Sequence, residues 1–429
     1  MAALLNAVPR PAGAPAAFLG TWVGTQVRNS LRHAQALRPF RHDEFGRGLG
    51  APSEGHLQAA NQLIAKLRAP LAARAQQMVA QAQRTGQPGG LHRFLDLKEA
   101  AGESVRDVEK IWDFYFELFG QRQSPYAEWL LGCDRIAQDC YQQYYTHIGT
   151  ARSVPAPGPF AYMKTGFSPA TFRRGIPLSM LGRQINPFPL VQLPFHRLLN
   201  PWTLGAVLHE VSHNLQNDLD LHNAVPRNIA RRLLQAGFAR GAAMVWMRWN
   251  REIFADLSGL LLGGPAVVGS LMDVVGRAPA VTLAYSPSGV HPTPYLRTFL
   301  SIELLRRMGF PREANGYEKA WTALYPRPDQ GSIPPALLKN FRPAISVVVD
   351  AICAEKYAGL GGRSLLRVIE YGAREQAMTE EAAGRLARGT DPGILPERLL
   401  IGAARIALER KLASPEAIQK NFYEELSRR

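Results

Sequence analysis

A length of 429 residues with an ordinary apolar fraction allows two or three cooperative units and excludes a small scaffold held by cross-links. The three cysteines, Cys133, Cys140 and Cys353, form no CxxC pair and suit small core positions in a reducing compartment. The net charge of +15 comes from arginines spread in pairs such as Arg173-Arg174, Arg231-Arg232 and Arg306-Arg307, which read as solvated helix faces rather than as a nucleic-acid motif.

Residues 1–50 are rich in Pro, Gly, Ala and Arg and predict an irregular arm with one short helix over 21–37. Met1 to Gly20 lacks a basic start followed by an apolar core, so no secretory leader is expected. Residues 51–150 form a helical region. Leu57, Leu63, Ile64, Leu67, Leu71 and Met78 recur at helical spacing, with Ser53 as a start. Thr85 to Gly90 is a loop, and residues 102–148 predict two helices split near Gln123-Ser124-Pro125. The aromatics Trp112, Phe114, Tyr115, Phe116 and Phe119, then Tyr141, Tyr144 and Tyr145, are expected in the core.

Prolines dominate 151–200 and exclude a helix interior there. Leu190, Val191, Gln192 and Leu193 lie between Pro189 and Pro194 and predict a short strand confined to a sheet edge. Such an edge can pair with an extended peptide, which makes these four residues candidate substrate contacts; a plain extended connector is the alternative.

A helix follows from Pro201 to Asn217, with Asn200 as its cap. Leu204, Val207, Leu208, Val211 and Leu215 make one apolar stripe, and His209 and His213 lie on the other side. With Glu210 they spell HExxH. Two imidazoles four apart on a helix can share one zinc ion, and the Glu can take a proton from metal-bound water. Gly205, one turn earlier, leaves room on that face. His196 and His222 flank the motif and read as ordinary loop histidines.

A long helix over 242–262 is apolar on nearly every face and therefore buried, yet it carries Glu252 and Asp256. Buried carboxylates are costly unless paired or bound to metal. Glu252 as third zinc ligand and Asp256 as hydrogen-bond partner of a ligating imidazole would satisfy both; an ion pair with Arg248 or Arg251 is the alternative. The apolar run from Asp256 to Asp273 is broken by Gly263-Gly264-Pro265, too short for the ~20 residues of a membrane span, so a soluble cytoplasmic protein is expected. His291-Pro292 precedes an amphipathic helix bearing Arg297. The pair could face the metal and hold a carbonyl oxygen, or Arg297 could be structural. Residues 311–429 predict further helices and no chemistry-bearing motif.

Three blocks now stand in order: His209-Glu210-Val211-Ser212-His213, then Glu252 with Ala255-Asp256, then His291-Pro292 with Arg297 six residues after the His. Over residues 186–305 this resembles the gluzincin metallopeptidases, most of all the HtpX-like and CAAX-prenyl-protease group. The resemblance implies a zincin-like core at 151–310, mainly α-helical with a small edge sheet. It implies one zinc per chain on His209, His213 and Glu252. Glu210 would be the general base, Asp256 would stand behind a ligand, and His291 and Arg297 would act near the substrate carbonyl. The activity implied is hydrolysis of a peptide or protein substrate through a zinc-bound water. The metzincin pattern does not fit, since Gln216 and Leu219 stand where it needs Gly and His. Members of the group commonly cross a membrane and this chain shows no span, so no substrate class is inferred. The alternative function is a catalytically silent zincin-like scaffold that binds or regulates, with His291 sealing the zinc as a fourth ligand.

Overall fold

The computed structural model describes residues 14–429; residues 1–13, part of the stretch where no leader is expected, lie outside them. The chain is mainly helical, with one three-stranded sheet and one two-stranded sheet among the described residues. It divides into two compact units. The first runs through Ser124 and adds Gly175–Pro187; the second holds Pro125–Arg174 and Phe188–Arg429. This differs from the expected boundary near residue 150.

The first unit is built on α1 (Ala14–Ala36), α2 (Glu54–Ala82) and α3 (Gly90–Gly120). The short helix expected in an irregular arm is a helix of 23 residues. Val23, Val27 and Leu31 recur four apart and pack on Ala75, Met78, Ala82 and Phe94. That burial stabilises a helix which composition alone does not predict. Ser53 caps α2 by accepting from the His56 backbone N–H. Tyr115 and Phe119 are buried as expected, while Phe116 is half exposed and stacks on Trp112 at 4.8 Å.

The second unit begins with α4 (Ala127–His147). A sheet follows, of β1 (Phe160–Met163), β2 (Ala170–Phe172) and β3 (Leu190–Leu193). Its order is β1-β3-β2, with β1 parallel and β2 antiparallel to β3. The expectation of an edge strand at Leu190–Leu193 is therefore corrected: β3 is central and paired on both sides. Pro189 and Pro194 lie just outside its four-residue ladder, and the Pro189 carbonyl still accepts from the Phe160 N–H, so neither proline removes a ladder donor. The edge beside β3 is β2. The connection from β2 to β3 is Gly175–Pro187 with its flanks, and that segment belongs to the first unit.

Helices α5 (Phe195–Leu199), α6 (Gly205–Asp218), α7 (Leu221–Gln235), α8 (Arg240–Arg248), α9 (Asn250–Gly263), α10 (Ala266–Val275), α11 (Pro279–Thr282) and α12 (Pro294–Arg307) follow. The remainder is α13 (Pro311–Leu324), α14 (Pro335–Val349), the ribbon β4 (Lys356–Tyr357) with β5 (Arg363–Ser364), α15 (Leu365–Val368), α16 (Ala373–Ala387), α17 (Leu400–Glu409) and α18 (Pro415–Arg428). The HExxH helix starts later than expected. Pro201–Thr203 is a separate 3-10 turn, and Asn200 makes no side-chain cap. The apolar helix expected over 242–262 is two helices that break at Trp249.

At the centre α6 packs on α9, with α4 beside α6 and α12 beside α9. The five stripe residues, Leu204 just before α6 and Val207, Leu208, Val211 and Leu215 within it, are fully buried, each contributing roughly 2 kcal/mol by area removed from water. A hydroxyl chain ties the helices: Tyr144 Oη to Ser258 Oγ at 2.7 Å, and Ser258 Oγ to Ser212 Oγ at 2.7 Å. Gly263 permits the close approach of α6, because a Cβ there would lie 2.5 Å from Leu208 Cδ1 and 2.6 Å from Val267 Cγ2.

Candidate metal centre

Helical periodicity turns His209 and His213 away from the buried stripe and toward α9. Glu252, in the first turn of α9, meets them. His209 Nε2 lies 3.1 Å from His213 Nε2; His209 Nε2 is 3.5 Å from Glu252 Oε2, and His213 Nε2 is 3.5 Å from the other carboxylate oxygen, Oε1. Zinc at 2.0–2.1 Å from tetrahedral ligands sets them about 3.3 Å apart. The two imidazole nitrogens and the Glu252 carboxylate therefore stand close enough together to share one metal ion. Within the described residues they are the only such group of His, Cys, Asp or Glu.

Asp256, one turn further along α9, lies 2.8 Å from His209 Nδ1. A proton on Nδ1 fixes the tautomer that leaves Nε2 to the metal. Arg297 on α12 then clamps Asp256, donating from Nε and Nη2 to its two oxygens at 2.8 Å each, with Glu252 at 3.7 Å. Arg297 thus takes the structural role as partner of Asp256, while its side chain still borders the cavity into which the other expectation would turn it. The alternative in which Glu252 and Asp256 pair with Arg248 or Arg251 is not what the chain does; their arginine is Arg297.

His291 stands at the opening. Its side chain is 66% exposed and its Nε2 lies 3.5 Å from Glu252, but it is outside the close group of three. It neither seals the site nor is buried in it.

Burial lowers the His209 imidazolium, yet Asp256 and Glu252 overcome this and push it up to about 10. For His213, burial and the neighbouring His209 charge act together and pull it down to about 3. Burial also works against ionised Glu252, but His209, His213 and Arg297 hold its carboxyl well below the usual range. Glu210 is different. It is 7% exposed, and burial pushes its carboxyl up to about 7.

These groups open onto a cavity of about 350 Å³. His209, Glu210, His213, Glu252, His291 and Arg297 line it, together with Ser168 to Thr171 and the apolar face of α10. Gly205 lines it too. A Cβ there would meet Ser270 Cβ at 2.7 Å, so this glycine admits α10 as well as leaving space. Leu190 to Leu193 do not line the cavity; β2 does. Thr171 is held by α6, accepting from Asn214 Nδ2 at 2.7 Å while donating to the Leu190 carbonyl at 2.9 Å. Thr171 was missed by sequence reading, and only the pairing of distant segments reveals it. His196 and His222 stand outside the cavity lining.

No protein-family model, no curated protein and no solved structure matches the chain. The residues of the site must carry the functional reading. No helix among the described residues is long and apolar enough to cross a membrane.

Proposed function

We propose that this chain is a zinc-dependent peptidase with a zincin-like core, its zinc held by His209, His213 and Glu252. The observation that carries this is the spacing of three donor atoms on the wall of an open cavity, with Glu210 beside them. A bound zinc supplies Lewis acidity toward a carbonyl oxygen and acidifies water. The residues do the rest. Glu210 takes a proton from the attacking water and delivers it to the departing amine. Its carboxyl near neutrality can serve both directions, and the charge of a divalent cation favours its ionised form. Asp256 orients His209, and Arg297 orients Asp256. His291, exposed at the opening, is within reach of a carbonyl oxygen on a bound peptide. β2 is the outermost strand of its sheet among the described residues and lines the cavity, where an extended peptide would run alongside it.

The test is Glu210→Gln. Zinc content measured by elemental analysis should stay at about one per chain, while hydrolysis of a quenched peptide library falls by roughly 10²–10⁴. Glu252→Ala should lose the zinc. Unchanged turnover in Glu210→Gln rejects the mechanism, and zinc without any hydrolysis in the wild type favours the scaffold reading.

A further inference from the structure

We infer that the apolar end of the metal cavity leads onto a cationic rim, made by Arg277 and Arg197, which docks a carboxylate of the substrate a few residues from the cleaved bond. This rests on the peptidase reading. The apolar end is walled by Ala206, Val267, Leu271 and Val274. Arg277 follows Val274 by three residues, just past the end of α10, and so stands at the outer limit of that wall. Ser168 lines the same cavity, and the ring of Phe167 beside it lies 4.6 Å from Arg277 Cζ. His196, the neighbour of Arg197 on α5, meets that ring at 6.5 Å between centroids.

Arg277 is held in place by its backbone. Its N–H donates to Thr282 Oγ1 at 3.0 Å, and its carbonyl accepts from Tyr325 Oη at 2.6 Å. Its exposed side chain rests on Phe167. Arg197 is only 5% exposed, and its Nε is buried with no hydrogen-bond partner. Neither arginine has a carboxylate within ion-pair distance among the described residues. By contrast, Arg297 and Arg398 each meet an Asp at 2.8 Å. Burial lowers the Arg197 guanidinium, and Asp273 works against this from a distance. Asp273 itself is committed to Arg405 at 2.5 Å. A buried cation without an acceptor costs energy, and an incoming carboxylate relieves it through charge-assisted hydrogen bonds.

Helix α10 sets the reach. Ser270 lies against Gly205, one turn before His209, and so sits beside the metal ligands. From Ser270 to Arg277 is roughly 10 Å along a helix, or about three residues of extended peptide. The apolar wall lies between the two. A substrate on this path sets an apolar side chain against Leu271 and Val274 and its carboxylate at Arg277, both on the same side of the cleaved bond.

The experiment uses decapeptides with a fluorophore, a quencher and blocked ends. Leu or Ala stands beside the cleaved bond, and Glu, Gln or Lys is scanned outward on both sides. The full chain loaded with zinc should cleave Glu peptides roughly tenfold faster in kcat/KM than Gln ones, through KM, at about two to four residues from the bond on one side only. A preference for Leu over Ala should fall on that same side. Arg277→Gln should flatten the charge preference and Arg277→Glu should turn it toward Lys, with zinc content unchanged in both; Arg197→Gln should weaken it. A further set without acidic residues ends in a free or an amidated C-terminus. Acceleration by Glu in blocked peptides assigns the rim to acidic side chains, and acceleration by the free end alone assigns it to the terminal carboxylate; either upholds it. In a second arm the same peptides bind Glu210→Gln, read by fluorescence anisotropy, and should rank in the same order. Cleavage indifferent to charge, a preference unmoved in Arg277→Glu, or charge and Leu preferences on opposite sides of the bond overturns the rim. If nothing is cleaved yet binding follows charge and Arg277, the peptidase reading fails and the rim stands; if binding ignores charge, the rim falls whatever the activity.

Discussion

Zinc loading should expel a proton from His209. In the zinc-free protein its imidazolium is held up to about 10, so at neutral pH Nε2 carries a proton while Nδ1 faces Asp256. The ligand atom must be bare. His213, pulled down to about 3, is already neutral and releases none. The sign follows: affinity for zinc rises with pH, roughly tenfold per unit, until His209 itself titrates. Calorimetry at pH 7.5 in buffers of different ionisation enthalpy should show about one proton or more released per zinc. Release near zero would mean that Asp256 and Glu252 do not charge His209. At this scale the sequence was most legible. HExxH and the Glu252–Asp256 pair share faces by helical period alone, and their burial follows from apolar neighbours. Arg297 was legible as a position but not as a role, because a guanidinium can turn to substrate or to Asp256 and only packing decides. Thr171 was invisible, since β2 reaches the cavity through a register that no local pattern encodes.

Among the elements, α9 depends on how it ends. Gly264 closes it at φ +75°, and a Cβ there would lie 2.1 Å from the Tyr371 ring. Gly264→Ala should therefore cost about 2 kcal/mol or more, through the left-handed backbone and the displaced ring together. Denaturant unfolding would show it as a lower midpoint at constant slope. A cost under half a kcal/mol would mean that the ring yields freely. Two elements were misread for identifiable reasons. The α8–α9 break at Trp249 carries neither Gly nor Pro, so nothing in composition announces it. β3 looked like an edge because its prolines were counted as part of the strand, whereas the paired ladder stops short of both. The opening helix was underestimated because α1 draws its stability from burial on α2 rather than from intrinsic propensity.

For the whole molecule, the proposed zinc site would link folding to metal. A ligand bound only to the folded chain stabilises it by about 4 kcal/mol at a thousandfold excess over Kd. Thermal unfolding should shift downward with a chelator in the wild type and not in Glu252→Ala. A wild-type transition indifferent to chelator would argue that no structural free energy resides in the site. The division of the chain has a consequence of another kind. β2 and β3 are neighbours in one unit, but the connection between them is folded into the other. When the α1–α3 unit melts, that connection becomes a slack loop, and its closure entropy then falls on the β2–β3 pair alone. The strand at the metal cavity is thus tethered to a body that contributes no ligand. Hydrogen exchange in mild denaturant should find the Ala170–Phe172 amides losing protection together with α2 and α3, while α6 and α9 stay closed; exchange of β2 in step with α6 would show the tether to be slack from the start.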